Sequence, residues 1–394
     1  MKFASLPQEV ARVMTALAAA GFEAYVVGGC VRDLVLGRTP MDWDVTTNAK
    51  PEEIQKIFPD SFYENTFGTV GVKTESDDSA LAVIEVTTYR TESEYTDARR
   101  PDAVTFVANL EEDLQRRDFT INAMALSPAG ELIDPFGGQD DIKAKRIRAV
   151  GEAAARFGED ALRMMRAARF VAVLGFVVEE KTFEAMHAQA KGLTKISAER
   201  LRDEFIKLAL GAAADKGIEL MRETGLLEYV VPELLEGWGV EQNLHHIYSV
   251  WEHNVRALRY TCDKNYSVEI RIGSLLHDVG KPRSKRGEGH NSTFYGHEVI
   301  GARMTEKIMA RLKFSSAMAD KITKLVRWHL FYYNPGEVTE SSVRRLVANI
   351  GADNVQDLLK VREADRIGSV VPKAIPYKLR HLQFMIDKVA RDPI

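Results

Sequence analysis

Residues 28–44 read GGCVRDLVLGRTPMDWD. The apolar run just before them, Ala24-Tyr25-Val26-Val27, is bounded by glycine and predicts a buried strand. Gly28 and Gly29 lack Cβ atoms, so the backbone can turn sharply there and approach a phosphate closely. A short helical turn carrying Arg32 and Asp33 follows. Asp42 and Asp44 then alternate around Trp43, and on a strand residues i and i+2 share a face. Two carboxylates side by side repel unless a cation lies between them, and oxygen ligands suit Mg²⁺. A lone Gly-Gly is usually a turn, and a lone Asp-x-Asp is usually solvated surface. A strand, paired glycines and an acid pair in this order point instead to metal-assisted phosphoryl transfer.

The rest of the chain bounds that reading. Its 394 residues are too many for one ordinary core, so two or more domains are expected. The formal net charge of −4 gives no global attraction to nucleic acid, so an RNA partner would have to meet local basic patches. The two cysteines, Cys30 and Cys262, match no zinc spacing, and a reduced cytoplasmic setting fits best. No stretch reaches membrane-spanning length, so no membrane association is expected.

In chain order, residues 7–20 carry a helix-spaced apolar face (Val10, Val13, Met14, Leu17) ended by Gly21. Residues 51–58 predict a second helix, with Pro51 in its first turn. Residues 69–72 and 81–88 predict strands joined by a turn at Asp77-Asp78-Ser79. Glu85 alternates with Ile84 and Val86, so it is either a third carboxylate aimed at the acid pair or an exposed sheet-face residue. Residues 89–105 are polar and charged, include Arg99 and Arg100, and predict a mobile loop. A second motif, RRDFTINA over residues 116–123, is either a capped helix start or a phosphate site. In the second reading Arg117 neutralises phosphate charge while Asp118 and Asn122 fix a sugar or the local geometry. Residues 133–138 read as a strand leaving into a tight turn, closing this part near residue 145.

From Gly151 onward the hydrophobic period is helical. In EDALRMMRAARF, Asp160, Arg163, Arg166 and Arg169 recur every three residues, a slowly rotating stripe on one helix. An ordinary amphipathic helix explains that spacing, but so does base recognition. A carboxylate can accept from the exocyclic amine of cytosine or adenine. A neighbouring guanidinium can donate to the adjacent ring nitrogen. Uracil and guanine present a carbonyl and a ring N–H at those places and leave buried groups unpaired. Residues 196–208, ISAERLRDEFIKL, predict a helix N-capped by Ser197, with Arg200, Arg202 and Lys207 facing RNA or solvent.

The last third carries His253 in SVWEHNVRAL, His277-Asp278 in LLHDVGKP and Asp365 in VREADRIG, all in helix-like segments. A single histidine there is usually a core or surface residue; a His-Asp pair inside an apolar run is harder to explain in that way. Mixed imidazole and carboxylate ligands suit Mn, Fe, Ni or Zn. His245, His246 and His290 fit no motif.

These motifs together resemble the class II tRNA nucleotidyltransferases, the family of CCA-adding enzymes and bacterial poly(A) polymerases, followed by a domain similar to the HD phosphohydrolases. The resemblance implies an α/β catalytic head with a small mixed sheet at 1–145, an all-α neck and body at 146–240 and a helical HD domain at 241–394. It implies addition of C, C and A to tRNA from CTP and ATP. Asp42 and Asp44 would hold Mg²⁺, and Glu85, if it faces them, would complete the cradle; Gly28, Gly29, Arg32, Asp33, Arg117, Asp118 and Asn122 would hold the triphosphate and sugar. Asp160 and Arg163, with Arg166 and Arg169 behind them, would select the base. His253, His277, Asp278 and Asp365 would hold the second metal, and His297 and His329 sit where some HD members place extra ligands. The loop at 89–105 is associated in the family with the switch from C to A. A further tail beyond Asp392-Pro393-Ile394 is expected for tRNA anchoring; no protein partner is evident. Alternatives are a CC-only, A-only or poly(A)-adding relative, and an HD phosphohydrolase with an RNA-docking head.

Overall fold

The computed structural model describes residues 6–63, 68–92, 104–106, 109–242, 247–331, 337–369 and 377–391. Arg99, Arg100, His245, His246 and the last three residues lie outside these. The chain forms two compact units, residues 1–163 with 176–195, and residues 164–175 with 196–394.

The first unit begins with α1 (Gln8–Ala19), which buries Val10, Val13, Met14 and Leu17, the face expected from their spacing. Next come β1 (Ala24–Val27), α2 (Gly29–Val35), β2 (Asp44–Thr47), α3 (Pro51–Ile57), β3 (Ser61–Tyr63), β4 (Thr69–Lys73) and β5 (Val83–Thr88). A small hairpin pairs β6 (Arg90–Glu92) with β7 (Val104–Phe106). The segment α4 (Leu110–Gln115) is capped by the Asn109 side chain, which accepts from Glu112 N. It leads through a 3₁₀ turn at Thr120–Asn122 to β8 (Ala125–Leu126), β9 (Leu132–Ile133), α5 (Gly138–Lys143) and β10 (Arg146–Ile147). The unit continues with α6 (Ala153–Glu159) and the start of α7 (Leu162–Leu174), then resumes with β11 (Val177–Val178) and α8 (Glu180–Gln189).

Seven strands form one mixed sheet in the order β3-β4-β5-β2-β1-β8-β9. Only β2 and β5 run parallel; every other neighbour is antiparallel. Val26, Val45, Val70, Ile84 and Val86 are all fully buried. The register sets Val27 beside Asp44 and Asp44 beside Glu85, which brings the chemistry-bearing residues to one end of the central strands.

The second unit is helical: the rest of α7, then α9 (Ala198–Ala209), α10 (Ala214–Glu223), α11 (Leu227–Val230), α12 (Val250–Asp263), α13 (Val268–Leu276) and α14 (Lys281–Ser284). After these come α15 (His297–Arg311), α16 (Ser316–Trp328), α17 (Glu340–Ile350), α18 (Val355–Ser369) and α19 (Tyr377–Arg391). Ser197 precedes α9, but its side chain makes no capping bond, contrary to expectation. Ile270, Leu325, Val343, Leu358, Val361 and Leu382 share one buried apolar cluster. The buried Arg271 guanidinium donates through all three nitrogens, to the carbonyls of Tyr266, Ala209 and Gly211 and to Asn265 Oδ1. Helix α18 comes very close to α12, since a Cβ on Gly368 would lie 3.1 Å from His253 O. Among the described residues no helix is long and apolar enough to cross a membrane.

Candidate active site and candidate metal centre

At the ends of β1 and β2, Gly28 adopts φ +81°, which favours glycine. A Cβ there would lie 3.0 Å from Arg117 Nη1 and 3.4 Å from Asp44 Oδ2, so the space is needed as much as the conformation. Asp42 is exposed, Trp43 is buried and Asp44 is half-buried, the alternation expected from sequence. The strand itself, however, begins only at Asp44, and Asp42 lies in the bend before it. The reason is that β1 ends at Val27, where Gly28 turns away and leaves Trp43 and Asp42 no strand partner on that side. Glu85 is exposed between buried Ile84 and Val86 and sits in register with Asp44, so both carboxylates share a face of the sheet. The negative field is felt by Cys30: burial, then the charges of Asp44 and Asp42, push its thiol up to about 12. An all-oxygen donor set of this kind fits Mg²⁺.

Cationic groups face this end from the second motif. Arg117 Nε is buried without a hydrogen-bond partner, and Arg117 Nη2 lies 3.4 Å from Asp113 Oδ2. Arg32 pairs with Asp33 at 2.9 Å and donates to Asn122 Oδ1 at 2.8 Å. Asn122 in turn donates to Asp118 Oδ1, which also accepts the Phe119 N–H. Arg32, Asp33, Asp118 and Asn122 are therefore one network, and the helix start read at residues 116–123 is a 3₁₀ turn held by Asp118.

The third motif differs from its simplest reading. Asp160 stands before α7 rather than in it, and its Oδ1 accepts from Leu162 N at 3.0 Å. Arg163 pairs with Glu159 at 2.6 Å and donates to the carbonyls of Arg156 and Arg116. Arg166 and Arg169 belong to the second unit, where Arg169 pairs with Glu204 at 3.2 Å and lies over the Phe170 ring.

In the second unit, four histidines and two aspartates converge. His253 is in α12 and Asp365 in α18; His277 and Asp278 follow the end of α13; His297 opens α15 and His329 follows α16. His253 Nε2 lies 2.8 Å from His277 Nε2, 3.2 Å from Asp278 Oδ2 and 3.3 Å from Asp365 Oδ1. The other oxygen of Asp278 lies 3.2 Å from His297 Nε2 and 3.6 Å from His329 Nε2. Asp278 thus belongs to two ligand groups at once. His277, His297 and His329 each set Nδ1 within 2.7 Å of a carbonyl three residues earlier. A carbonyl only accepts, so Nδ1 carries the proton and Nε2 is left to face the centre.

Electrostatics follow from burial and pairing. Burial alone would lower His277, but Asp278 and Asp365 outweigh it and push it up to about 10. Burial would raise Asp278, yet Lys281 and His277 hold it well below the usual carboxylate range. Asp365 is held low too, by Arg362 and the histidines against the effect of its burial. His329 is lowered, chiefly by burial. Lys281, Arg362 and the raised His277 stand as counter-charges to the two carboxylates. A bound cation would take over that role, and the mixed donor set fits a transition metal.

Comparison with known proteins reproduces this order along the chain. Residues 24–148 match the poly A polymerase head domain, residues 175–237 the probable RNA and SrmB-binding site of polymerase A, and residues 250–367 the HD domain. The crystal structure of the Bacillus stearothermophilus CCA-adding enzyme in complex with CTP superposes with a TM-score of 0.70 at 30% identity, covering 98% of this chain and 81% of that one. The chain belongs to the family of CCA-adding enzymes and poly(A) polymerases. The CCA-adding enzyme of Leuconostoc mesenteroides is 48% identical over 242 residues, 60% of this chain and 59% of that protein. That of Lactobacillus delbrueckii is 52% identical over 217 residues, 55% of this chain and 54% of the relative. These matches therefore span a little over half the length of the curated CCA-adding enzymes. A Thermotoga maritima CCA-adding enzyme complexed with tRNA shares the fold at 19% identity and TM-score 0.59.

Three residues of these sites carried no assignment in the sequence. Glu159 lies within the third motif, and Lys281 lies within LLHDVGKP and pairs with Asp278 at 2.6 Å. Asp113 lies in no motif, and only its helical spacing of three and four from Arg116 and Arg117 hints at a link.

Proposed function

We propose that this family member adds C, C and A to the 3′ end of tRNA from CTP and ATP without a nucleic-acid template. The observation that carries the reading is the alignment of Asp44 with Glu85 beside the Gly28 turn, with Arg117 Nη1 against it. Asp42, Asp44 and Glu85 would hold Mg²⁺. When bound, the ion would polarise the reacting phosphate and favour loss of the proton from the attacking 3′-hydroxyl. Asp42 and Asp44 help draw that proton away. Gly28 and Gly29 admit the phosphates without steric conflict, and Arg32 and Arg117 neutralise triphosphate charge. Asp118 and Asn122 hold Arg32 and the sugar in place. Asp160 and Arg163 accept and donate on the base edge that cytosine and adenine share. Arg166 and Arg169 extend the positive stripe along α7. The working partition is a head at 1–145, a neck and body at 146–240 and an HD domain from 241, acting in the cytoplasm.

The helical centre serves a second reaction, hydrolysis of a phosphate ester such as a 2′,3′-cyclic phosphate on damaged RNA ends. His253, His277, Asp278 and Asp365 would hold a Mn, Fe, Ni or Zn ion, with His297 and His329 completing a second position through Asp278. Incubation with tRNA lacking its CCA end, labelled CTP or ATP, and Mg²⁺ tests the first activity. With both nucleotides present and one of them labelled, the expected product is tRNA extended by three nucleotides; no extension with either label contradicts it.

A further inference from the structure

Asp113 is a fully buried carboxylate on α4, outside every motif named above. A buried charge is costly unless paired, and this one is paired several times over. Its Oδ1 accepts from Arg116 Nε at 3.1 Å and Nη2 at 2.8 Å, and from the backbone N–H of Arg90 at 3.4 Å. Its Oδ2 lies 3.4 Å from Arg117 Nη2 and 3.3 Å from the hydroxyl of Thr46, two residues beyond Asp44 on β2. Burial acts to raise its pKa, but the Arg116 and Arg117 charges outweigh that and keep it ionised.

The two arginines lead to different parts of the site. Arg117 reaches from Asp113 to the Gly28 turn, where its Nη1 would lie 3.0 Å from a Cβ on Gly28. Arg116 donates two nitrogens to Asp113 Oδ1, and its carbonyl accepts from Arg163 Nη2 at 3.0 Å. One carboxylate faces two guanidiniums. The tighter, two-point bond goes to Arg116 and the looser, single one to Arg117.

We propose that Asp113 is a positioning residue for nucleotide addition: it sets Arg117 against the triphosphate turn and, through Arg116, holds the carbonyl that orients base-selecting Arg163. The inference rests on the nucleotide-addition reading and links its phosphate and base subsites through one buried group. Neither effect requires Asp113 to touch the nucleotide.

The test is steady-state incorporation of CTP and ATP by wild type, Asp113→Asn, Arg117→Gln and the double variant, with UTP and GTP as competitors. Asp113→Asn keeps the shape and removes the charge. It should raise KM for both CTP and ATP on the order of tenfold, as expected for a lost charge-assisted hydrogen bond, and increase UTP and GTP incorporation. Because Asp113 acts on KM through Arg117, the double variant should show the KM of Arg117→Gln alone rather than the product of the two effects. A general loss of stability would lower melting temperature and active fraction but leave KM and base choice unchanged. Folded Asp113→Asn with wild-type KM and selectivity, or multiplicative effects in the double variant, would overturn the inference. If Asp113→Asn does not fold, Arg116→Gln decides: relaxed base choice supports the proposal and unchanged choice overturns it. Wild type that adds no nucleotide would remove the function reading itself, an outcome distinct from any variant result.

Discussion

The two candidate sites solve opposite problems with the same residue, aspartate. In the first unit, Asp42 and Glu85 are exposed and Asp44 is half-buried, all at the open end of a sheet and joined by no histidine. In the second unit, Asp278 and Asp365 are buried among four histidines, three of whose rings are fixed by backbone carbonyls. A strand end beside a glycine turn leaves room for a large polyanion to enter and leave, carrying Mg²⁺ with it. Carboxylates and imidazoles buried among helices suit an ion that stays. Carboxylate count alone does not separate the two candidate sites; the depth of the carboxylates and the partners of their neighbours do.

The contrast breaks most visibly at Asp44. Asp44→Asn should abolish incorporation of both CTP and ATP, a loss of a thousandfold or more on the scale of removed charge-stabilising groups, while the transition-metal content stays at the wild-type level. Near-normal incorporation in a radiolabel assay would remove Asp44 from the active site. A smaller effect is expected at Asp160. Asp160→Ala should relax base choice by about a hundredfold, the scale of an unpaired buried polar group, with less change in triphosphate binding. Competition among all four nucleotides measures it, and unchanged selectivity in both Asp160→Ala and Arg163→Ala would exclude the pair as a base reader.

The smallest effect concerns pH and is confined to the buried centre. His277 is held up at about 10 in the absence of an ion, against an ordinary value of 6.5. Its folded value is raised, so the stabilisation is complete below 6.5 and is lost as pH rises through about 10. Chelator-treated protein should therefore lose a few degrees of melting temperature between pH 7 and 10. Metal-loaded protein should lose less, since the cation replaces the proton. His329, lowered by burial, acts in the other direction and below pH 6.5, outside this window. Equal pH dependence with and without chelator would contradict the paired His277–Asp278–Asp365 arrangement.

Much of this was legible because the motifs are local. The Gly28 turn, the α1 face and the His277–Asp278 pair depend on neighbours within a few positions, and their residue types narrow the chemistry. Strand β2 starting at Asp44 rather than Asp42 was not legible, because it is decided by where β1 ends, across the sheet. Asp160 was expected on the helical stripe, yet it caps the helix, a role that Asp takes at helix starts and that spacing alone does not separate from the first turn. The dual place of Asp278 needs His297 and His329 brought in from α15 and α16, and the hold of Asp113 on Arg117 matters only because Gly28 lies on the far side. Those contacts are tertiary and leave no periodic trace.

Two chemically separate sites in one chain should respond separately to His277→Ala, with bound transition metal and nucleotide addition measured on the same preparation. Loss of one partner leaves Asp278 and Asp365 short of compensation, a cost of about 3 kcal/mol or more, so a lower melting temperature should accompany the change. The bound transition metal should be lost while incorporation of CTP and ATP is largely retained. Unchanged metal content together with full loss of nucleotide addition would contradict the separation of the two sites.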